Sequence, residues 1–162
     1  MTAMLSWGII GLGNIARQFA RGLARSATGE LVAVGSSTRE SADRFAGEFS
    51  FDRAYPSYEE LLADPHVDAV YVATPHPLHA EWVVKSAEAG KHILCEKPMG
   101  INHAQTMGMI EAAARHDVFL MEAFMYRCHP QTLKIVELIK EGAIGQVRAM
   151  EGTFGFHASF TS

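Results

Sequence analysis

The chain has 162 residues, is 48% hydrophobic and 20% charged, and contains 14 Gly and 6 Pro. Those proportions suit one soluble globular domain and exclude disorder, collagen-like sequence and coiled coil. A formal charge of −4 offers no basic surface for nucleic acid or an anionic membrane. Two separated cysteines, Cys95 and Cys128, exclude a disulfide scaffold or structural zinc site and fit a reducing compartment.

No apolar run approaches the roughly 18 residues needed to cross a bilayer. Met1 to Gly13 lacks the basic flank of an export signal. The expected location is cytoplasmic, with neither membrane nor nucleic acid as partner.

The pattern begins with an apolar run, Leu5 to Ile10, stopped by Gly11-Leu12-Gly13. Ile15, Phe19 and Leu23 then recur at helical spacing as a buried stripe, with Arg17, Arg21 and Arg25 on a solvated face. A second strand at Leu31 to Val34 leads to a short helix carrying Ala42, Phe45 and Ala46. A brief strand is expected at Arg53 to Tyr55, and Ser57-Tyr58-Glu59-Glu60 reads as a capping box opening another helix. Asp68 to Ala73 is the next strand, ended by Thr74-Pro75. The helix through Ala80, Val83, Val84 and Ala87 stops at Gly90. Strands at His92 to Cys95 and Val118 to Met121 follow, with a helix starting near Asn102 between them. A last helix carries Leu133, Val136 and Ile139 and ends at Gly142.

Strands of this length alternating with helices predict a parallel α/β sheet covered on both faces, a Rossmann-type doubly wound fold. From Met150 to Phe160 the apolar residues fall on even positions, which predicts a half-buried strand. The expected division is a dinucleotide-binding domain over 1–125. A connecting helix and the first strand of an incomplete C-terminal α/β domain follow over 126–162.

Gly11-Leu12-Gly13-Asn14-Ile15-Ala16 matches G-x-G-x-x-A between a strand and a helix. In that context the first glycine permits the turn, the second admits a pyrophosphate close to backbone, and the third small residue packs the helix on the sheet. The helix N-terminus supplies unpaired N–H groups. The position that selects the cofactor lies in Gly35-Ser36-Ser37-Thr38-Arg39, without a carboxylate until Glu40. Hydroxyls and a guanidinium suit a 2′-phosphate, so NADP is favoured over NAD, although an ordinary polar loop has the same composition.

His92 to Cys95 runs directly into Glu96-Lys97-Pro98. Ligands of parallel sheets gather at strand carboxyl ends, where Lys97 falls. An ammonium there can donate to a substrate oxygen as a carbonyl is reduced.

Together these residues resemble the glucose–fructose oxidoreductase, inositol dehydrogenase and rhizopine-catabolism (Gfo/Idh/MocA) family. The likeness rests on Gly11 to Ala16, Ala73-Thr74-Pro75 with His79, and Gly90-Lys91-His92 leading to Glu96-Lys97-Pro98. Met121-Glu122-Ala123, Tyr126-Arg127 and His129-Pro130 extend it. It is nearest in character to the D-xylose and dihydrodiol dehydrogenases, and it corresponds to the first half of a family member.

The resemblance implies a nicotinamide cofactor, a small sugar, polyol or cyclic diol as substrate, and a homo-oligomer in the full-length form. It implies that Lys97 contacts substrate and nicotinamide, that the Lys97–Pro98 peptide is often cis, and that a second catalytic group comes from the C-terminal domain. Gly11, Leu12, Gly13, Asn14, Ile15, Ser36, Ser37, Arg39, Ala73, Thr74, Pro75, His79, Glu96, Lys97 and Arg127 form the expected cofactor cleft. A non-catalytic dinucleotide-binding or redox-sensing module, and a glycosidase that uses the dinucleotide transiently, are the alternatives.

Other residues carry plainer readings. His76 and His79 lack a third ligand for zinc. Cys128 reads as an ordinary thiol, and Met107, Met109, Met121 and Met125 as core filler. Arg127 is open between a cofactor contact and a structural ion pair.

Overall fold

The structure, a computed structural model, describes residues 4–49 and 53–155. The chain divides into two compact units, Met1–Ala123 and Phe124–Ser162. In the first, β1 (Leu5–Ile10), β2 (Gly29–Gly35), β3 (Arg53–Tyr55), β4 (Ala69–Val72), β5 (His92–Cys95) and β6 (Leu120–Glu122) form one sheet of order β3-β2-β1-β4-β5-β6. All pairings are parallel. The order turns back between β1 and β4, so crossovers leave in opposite directions on either side of that pair and open a crevice at its carboxyl end.

Alternation along the strands assigns the two faces. Ile10, Ala33, Val70, Val72, Ile93 and Cys95 point to one core. Ile9, Val34 and Tyr71 point to the other. The first core is covered by α3 (Tyr58–Leu62), α4 (His79–Glu88) and α5 (His103–Arg115), through Leu61, Val83, Ala87, Met109 and Ala112. The second is covered by α1 (Asn14–Leu23) and α2 (Arg39–Phe49), through Ala16, Ala20, Ala42 and Phe45.

Helix starts follow local chemistry. Ser57 caps α3 by accepting the Glu60 N–H, and Asn102 caps α5 by accepting that of Gln105. Gly90 takes φ +71° after α4, a conformation that suits glycine past a helix end.

Several expectations are corrected. The closest packing of α1 uses Ala16 and Ala20, both buried, whereas Ile15 is exposed and Phe19 and Leu23 are half-buried. Small residues win because the helix start must approach the sheet closely behind the glycine turn. Arg17 is not merely solvated: its guanidinium reaches Glu48 at 2.8 Å and the Leu12 carbonyl at 3.0 Å, and lies over the Phe45 ring. Of the four methionines read as core, Met109 is fully buried, while Met107 and Met125 are exposed.

In the second unit, α6 (Pro130–Lys140) is capped by His129, whose Nδ1 accepts the Gln131 N–H at 3.1 Å. Leu133 and Val136 are exposed on it. The strand expected from Met150 is not formed over Met150 to Gly155, which is irregular and exposed; Phe156 to Phe160 lie outside the described residues. Alternation sets which side chains share a face, but a strand also needs a neighbouring backbone to bond. Among the described residues no strand pairs with this segment.

Candidate active site

Register fixes what stands at the crevice. Ile10 is level with Gly35 and Val72, Val72 with Cys95, and Cys95 with Glu122. The residues that follow, Gly11, Ser36, Ala73, Glu96 and Ala123, therefore line up along the carboxyl edge. The ladder extends into this row through Ala73 N–H to the Ile10 carbonyl, Glu96 N–H to Val72 and Ala123 N–H to Cys95, at 2.8, 3.0 and 2.8 Å.

At the centre of the row, Gly11 has φ +89°, and a Cβ there would lie 2.7 Å from both the Ala73 oxygen and the Thr74 nitrogen. The turn is thus pressed against the loop after β4. Gly13 is the opposite case: a Cβ would meet nothing within 4 Å. Its φ of −75° also suits any residue. Nothing in the protein's own packing demands glycine there, whereas close approach of a ligand to the backbone does. Gly13 also begins α1 without a side-chain cap, and the first turn holds no acidic residue. Ser57, Asn102 and His129 each supply that cap elsewhere. The amide groups around Asn14 and Ile15 thus present a positive helix end at the crevice.

The loop after β4 adds a second sign of a missing partner. Thr74 is 6% exposed and its hydroxyl has no hydrogen-bond partner. A buried orphan hydroxyl is costly in a finished structure. Pro75 is exposed beside it. An open glycine, an uncapped helix end and an orphan hydroxyl on one crevice fit a dinucleotide.

Ser36 is buried, its N–H bonded to the Tyr55 carbonyl at 3.1 Å, and Ser37 is exposed. Arg39 opens α2, donating Nη1 to the Ala54 carbonyl at 2.6 Å and approaching Asp43 at 3.7 Å. Its remaining N–H groups are not committed by these contacts. Arg127 is exposed in a short 3₁₀ turn of the second unit.

Lys97 is exposed just beyond β5, and the Lys97–Pro98 peptide is cis. Glu96 beside it is held from two sides. Its Oε2 accepts the Lys97 N–H at 3.1 Å, and its Oε1 accepts the Tyr71 hydroxyl at 2.5 Å. Burial, then the hydrogen bond and charge of Glu96, push the Tyr71 phenol well above its ordinary range, so it remains a donor. Burial, reinforced by Glu122 and Glu96, pushes the Cys95 thiol up to about 12, so it stays protonated and unreactive.

His79 stands in the first turn of α4. It is 2% exposed, with Nδ1 3.0 Å from the Pro98 carbonyl and Nε2 3.0 Å from the Thr74 carbonyl. Both ring nitrogens are spent on backbone, so its bearing on the cleft is through the loops it holds. The sequence assigned no site role to Tyr71, nor to Glu122, which entered only as part of Met121-Glu122-Ala123. Tyr71 sits in an apolar run and looks like core until strand alternation is combined with Glu96. Glu122 is recognisable only once β6 is placed next to β5.

The family model described as an oxidoreductase family with an NAD-binding Rossmann fold matches residues 5–124. A mouse trans-1,2-dihydrobenzene-1,2-diol dehydrogenase is 41% identical over 157 residues, covering 96% of this chain and 47% of the mouse protein. A D-xylose 1-dehydrogenase (NADP(+)) from Hypocrea jecorina is 42% identical over 156 residues, covering 88% of this chain and 40% of that protein. Among solved structures, the 3-ketoreductase KijD10 from Actinomadura kijaniata, in complex with TDP-benzene and NADP, superposes with a TM-score of 0.81. It is 36% identical, over 90% of this chain and 46% of that one. The chain spans about half the length of the curated relatives it matches. On the matched residues, the parallel sheet and the glycine turn at its switch point, the chain belongs to the Gfo/Idh/MocA oxidoreductase family.

Proposed function

We propose that this chain is the NADP-binding part of a dehydrogenase or reductase acting on a sugar, polyol or cyclic diol. The observation that carries the reading is the row at the carboxyl edge. The phosphate turn at Gly11 and Gly13, the Thr74 loop and Lys97 follow adjacent parallel strands β1, β4 and β5. The dehydrogenases and the ketoreductase among the relatives support the chemistry, and the two whose descriptions mention NADP support the cofactor.

Gly11, Leu12 and Gly13, with the helix start at Asn14 and Ile15, would hold the pyrophosphate. Ser37 and the spare N–H groups of Arg39 would hold the 2′-phosphate, with Ser36 and Ala73 as backbone floor. Thr74 and Pro75 would border the nicotinamide side of the cleft, and Glu96 would sit beneath Lys97. When bound, the nicotinamide supplies or accepts the hydride.

The chain's own contribution is to orient and polarise. Lys97 donates a hydrogen bond to the reacting oxygen, stabilising negative charge as a carbonyl becomes an alcohol and easing the reverse reaction. Two free thiols, Cys95 buried and Cys128 exposed, support a cytoplasmic setting.

Calorimetric titration with NADPH and NADH at equal ionic strength tests the reading. Tighter NADPH supports it, tighter NADH overturns the 2′-phosphate assignment, and no binding by the folded chain overturns the cofactor site. Net consumption of NADPH with a ketone substrate separates a reductase from a glycosidase that returns its hydride.

A further inference from the structure

The segment that carries Lys97 is anchored by side chains from other elements. The Pro98 carbonyl faces His79 Nδ1 at 3.0 Å, from the first turn of α4. The Met99 N–H donates to Glu122 Oε1 at 2.8 Å, from the end of β6. Behind them, Tyr71 on β4 donates to Glu96, which also accepts the Lys97 N–H. Backbone on both sides of Lys97 is thereby tied to three separate elements of one unit, although the residue itself is exposed. His79 goes further, because its other nitrogen, Nε2, faces the Thr74 carbonyl on the loop after β4. The ring thus bridges the two loops, donating to a carbonyl from whichever nitrogen carries hydrogen.

We propose that Glu122 and His79 are positioning residues for Lys97. Glu122 fixes the far side of the lysine loop, and His79 couples that loop to the cofactor-side loop at Thr74. An exposed lysine on a free loop samples many positions. One whose flanking peptides are pinned holds its ammonium where a reacting oxygen arrives. A misplacement of about 1 Å costs on the order of 10²-fold in rate, so such anchoring matters at a hydride-transfer site. The proposal rests on the reading of Lys97 as the polarising group.

The two residues have separable signatures. Glu122→Ala removes the acceptor for Met99, whereas Glu122→Gln keeps an acceptor oxygen of the same reach. In Glu122→Ala, amide hydrogen exchange at Met99 accelerates at least about tenfold over wild type. NADPH affinity by calorimetry stays within about twofold, since Glu122 touches no phosphate-side backbone. Glu122→Gln restores the slow exchange. With D-xylose or trans-1,2-dihydrobenzene-1,2-diol and NADP⁺ in the full-length protein, Glu122→Ala lowers kcat about tenfold or more and leaves KM for NADP⁺ unchanged.

His79→Ala frees both loops, so it lowers kcat and weakens NADPH binding together. Unchanged exchange at Met99 in Glu122→Ala overturns the anchoring. Unchanged NADPH affinity in His79→Ala overturns the coupling. Amide exchange needs neither cofactor nor substrate. A wild-type chain that binds no NADPH would therefore sink the functional reading, while slow exchange at Met99 lost in Glu122→Ala would still sustain the anchor.

Discussion

Two glycines of one turn separate folding from binding. For Gly11→Ala, the new Cβ would lie 2.7 Å from the oxygen of Ala73 and from the nitrogen of Thr74, both backbone atoms of a strand end. Neither swings aside without moving β4 relative to β1. A positive φ for a residue with a Cβ costs about 1–2 kcal/mol, and overpacking against rigid neighbours about 1–3 kcal/mol. The lower entropy of the unfolded alanine chain returns about 0.4–1 kcal/mol. The net is a loss of about 1–4.5 kcal/mol, which at about 2–4 °C per kcal/mol for a chain of this size lowers Tm by roughly 2–18 °C.

For Gly13→Ala the Cβ meets nothing within 4 Å. The weaker N-cap preference of alanine and its entropy gain nearly cancel, leaving stability within about 0.5 kcal/mol. NADPH affinity, in contrast, falls about 10- to 100-fold, because the methyl occupies the space where a pyrophosphate meets backbone, at 1.4 kcal/mol per tenfold. Thermal unfolding and calorimetry on the two variants give the comparison. A stable Gly13→Ala with wild-type NADPH affinity would refute the phosphate site, and an unshifted Tm for Gly11→Ala would refute the close packing of the turn on Thr74.

Lys97→Met keeps an unbranched side chain one atom shorter but removes its donor, so turnover should fall at least about 10²-fold with NADPH affinity nearly intact; equal turnover removes Lys97 from the chemistry. Arg39→Ala should weaken NADPH about tenfold or more and leave NADH within about twofold, since only NADPH offers a 2′-phosphate to the guanidinium; parallel losses would refute that role. Tyr71→Phe leaves Glu96 without its buried donor and should cost about 1–3 kcal/mol in a denaturant titration.

Asp64 gives a pH prediction. Burial pushes its carboxyl up, but the His66 N–H, the Tyr55 hydroxyl and the Arg53 guanidinium outweigh that and hold it below the usual value. A depressed folded pKa makes its contribution fully present above the unfolded value near pH 4 and lost as pH falls through the folded one. Asp64→Asn should therefore flatten the fall in stability below about pH 4, read from denaturant midpoints.

Much of the fold was legible because its signals are local. Leu5 to Ile10, Arg53 to Tyr55 and His92 to Cys95 were placed at their observed ends by an apolar run meeting a turn residue. Ser57 and Asn102 marked helix starts through a side chain that reaches only a few residues along the chain. Long-range needs were not legible in the same way. Alternation at Met150 to Phe160 says which side chains agree in direction, and nothing about a partner strand. On α1, a large apolar stripe is the strongest pattern, yet closeness to the sheet selected Ala16 and Ala20 instead.

The candidate site divides along the same line. The residues proposed to meet a ligand, Gly11, Gly13, Thr74 and Lys97, lie in short contiguous motifs, which is why the sequence alone nominates them. Those that hold these motifs in place come from elsewhere. His79 was singled out beside Thr74-Pro75, but the Pro98 carbonyl that faces its other nitrogen is not visible in the sequence. Tyr71 and Glu122 lie 25 and 23 residues from Glu96 and Met99, the groups they bond. Only the register of β4, β5 and β6 brings them into reach. An exposed lysine cannot be fixed by packing of its own, so its precision must come from peptides anchored beneath it. The sheet supplies that anchor, because consecutive parallel strands deliver Tyr71, Cys95 and Glu122 to one end with a spacing the backbone ladder sets.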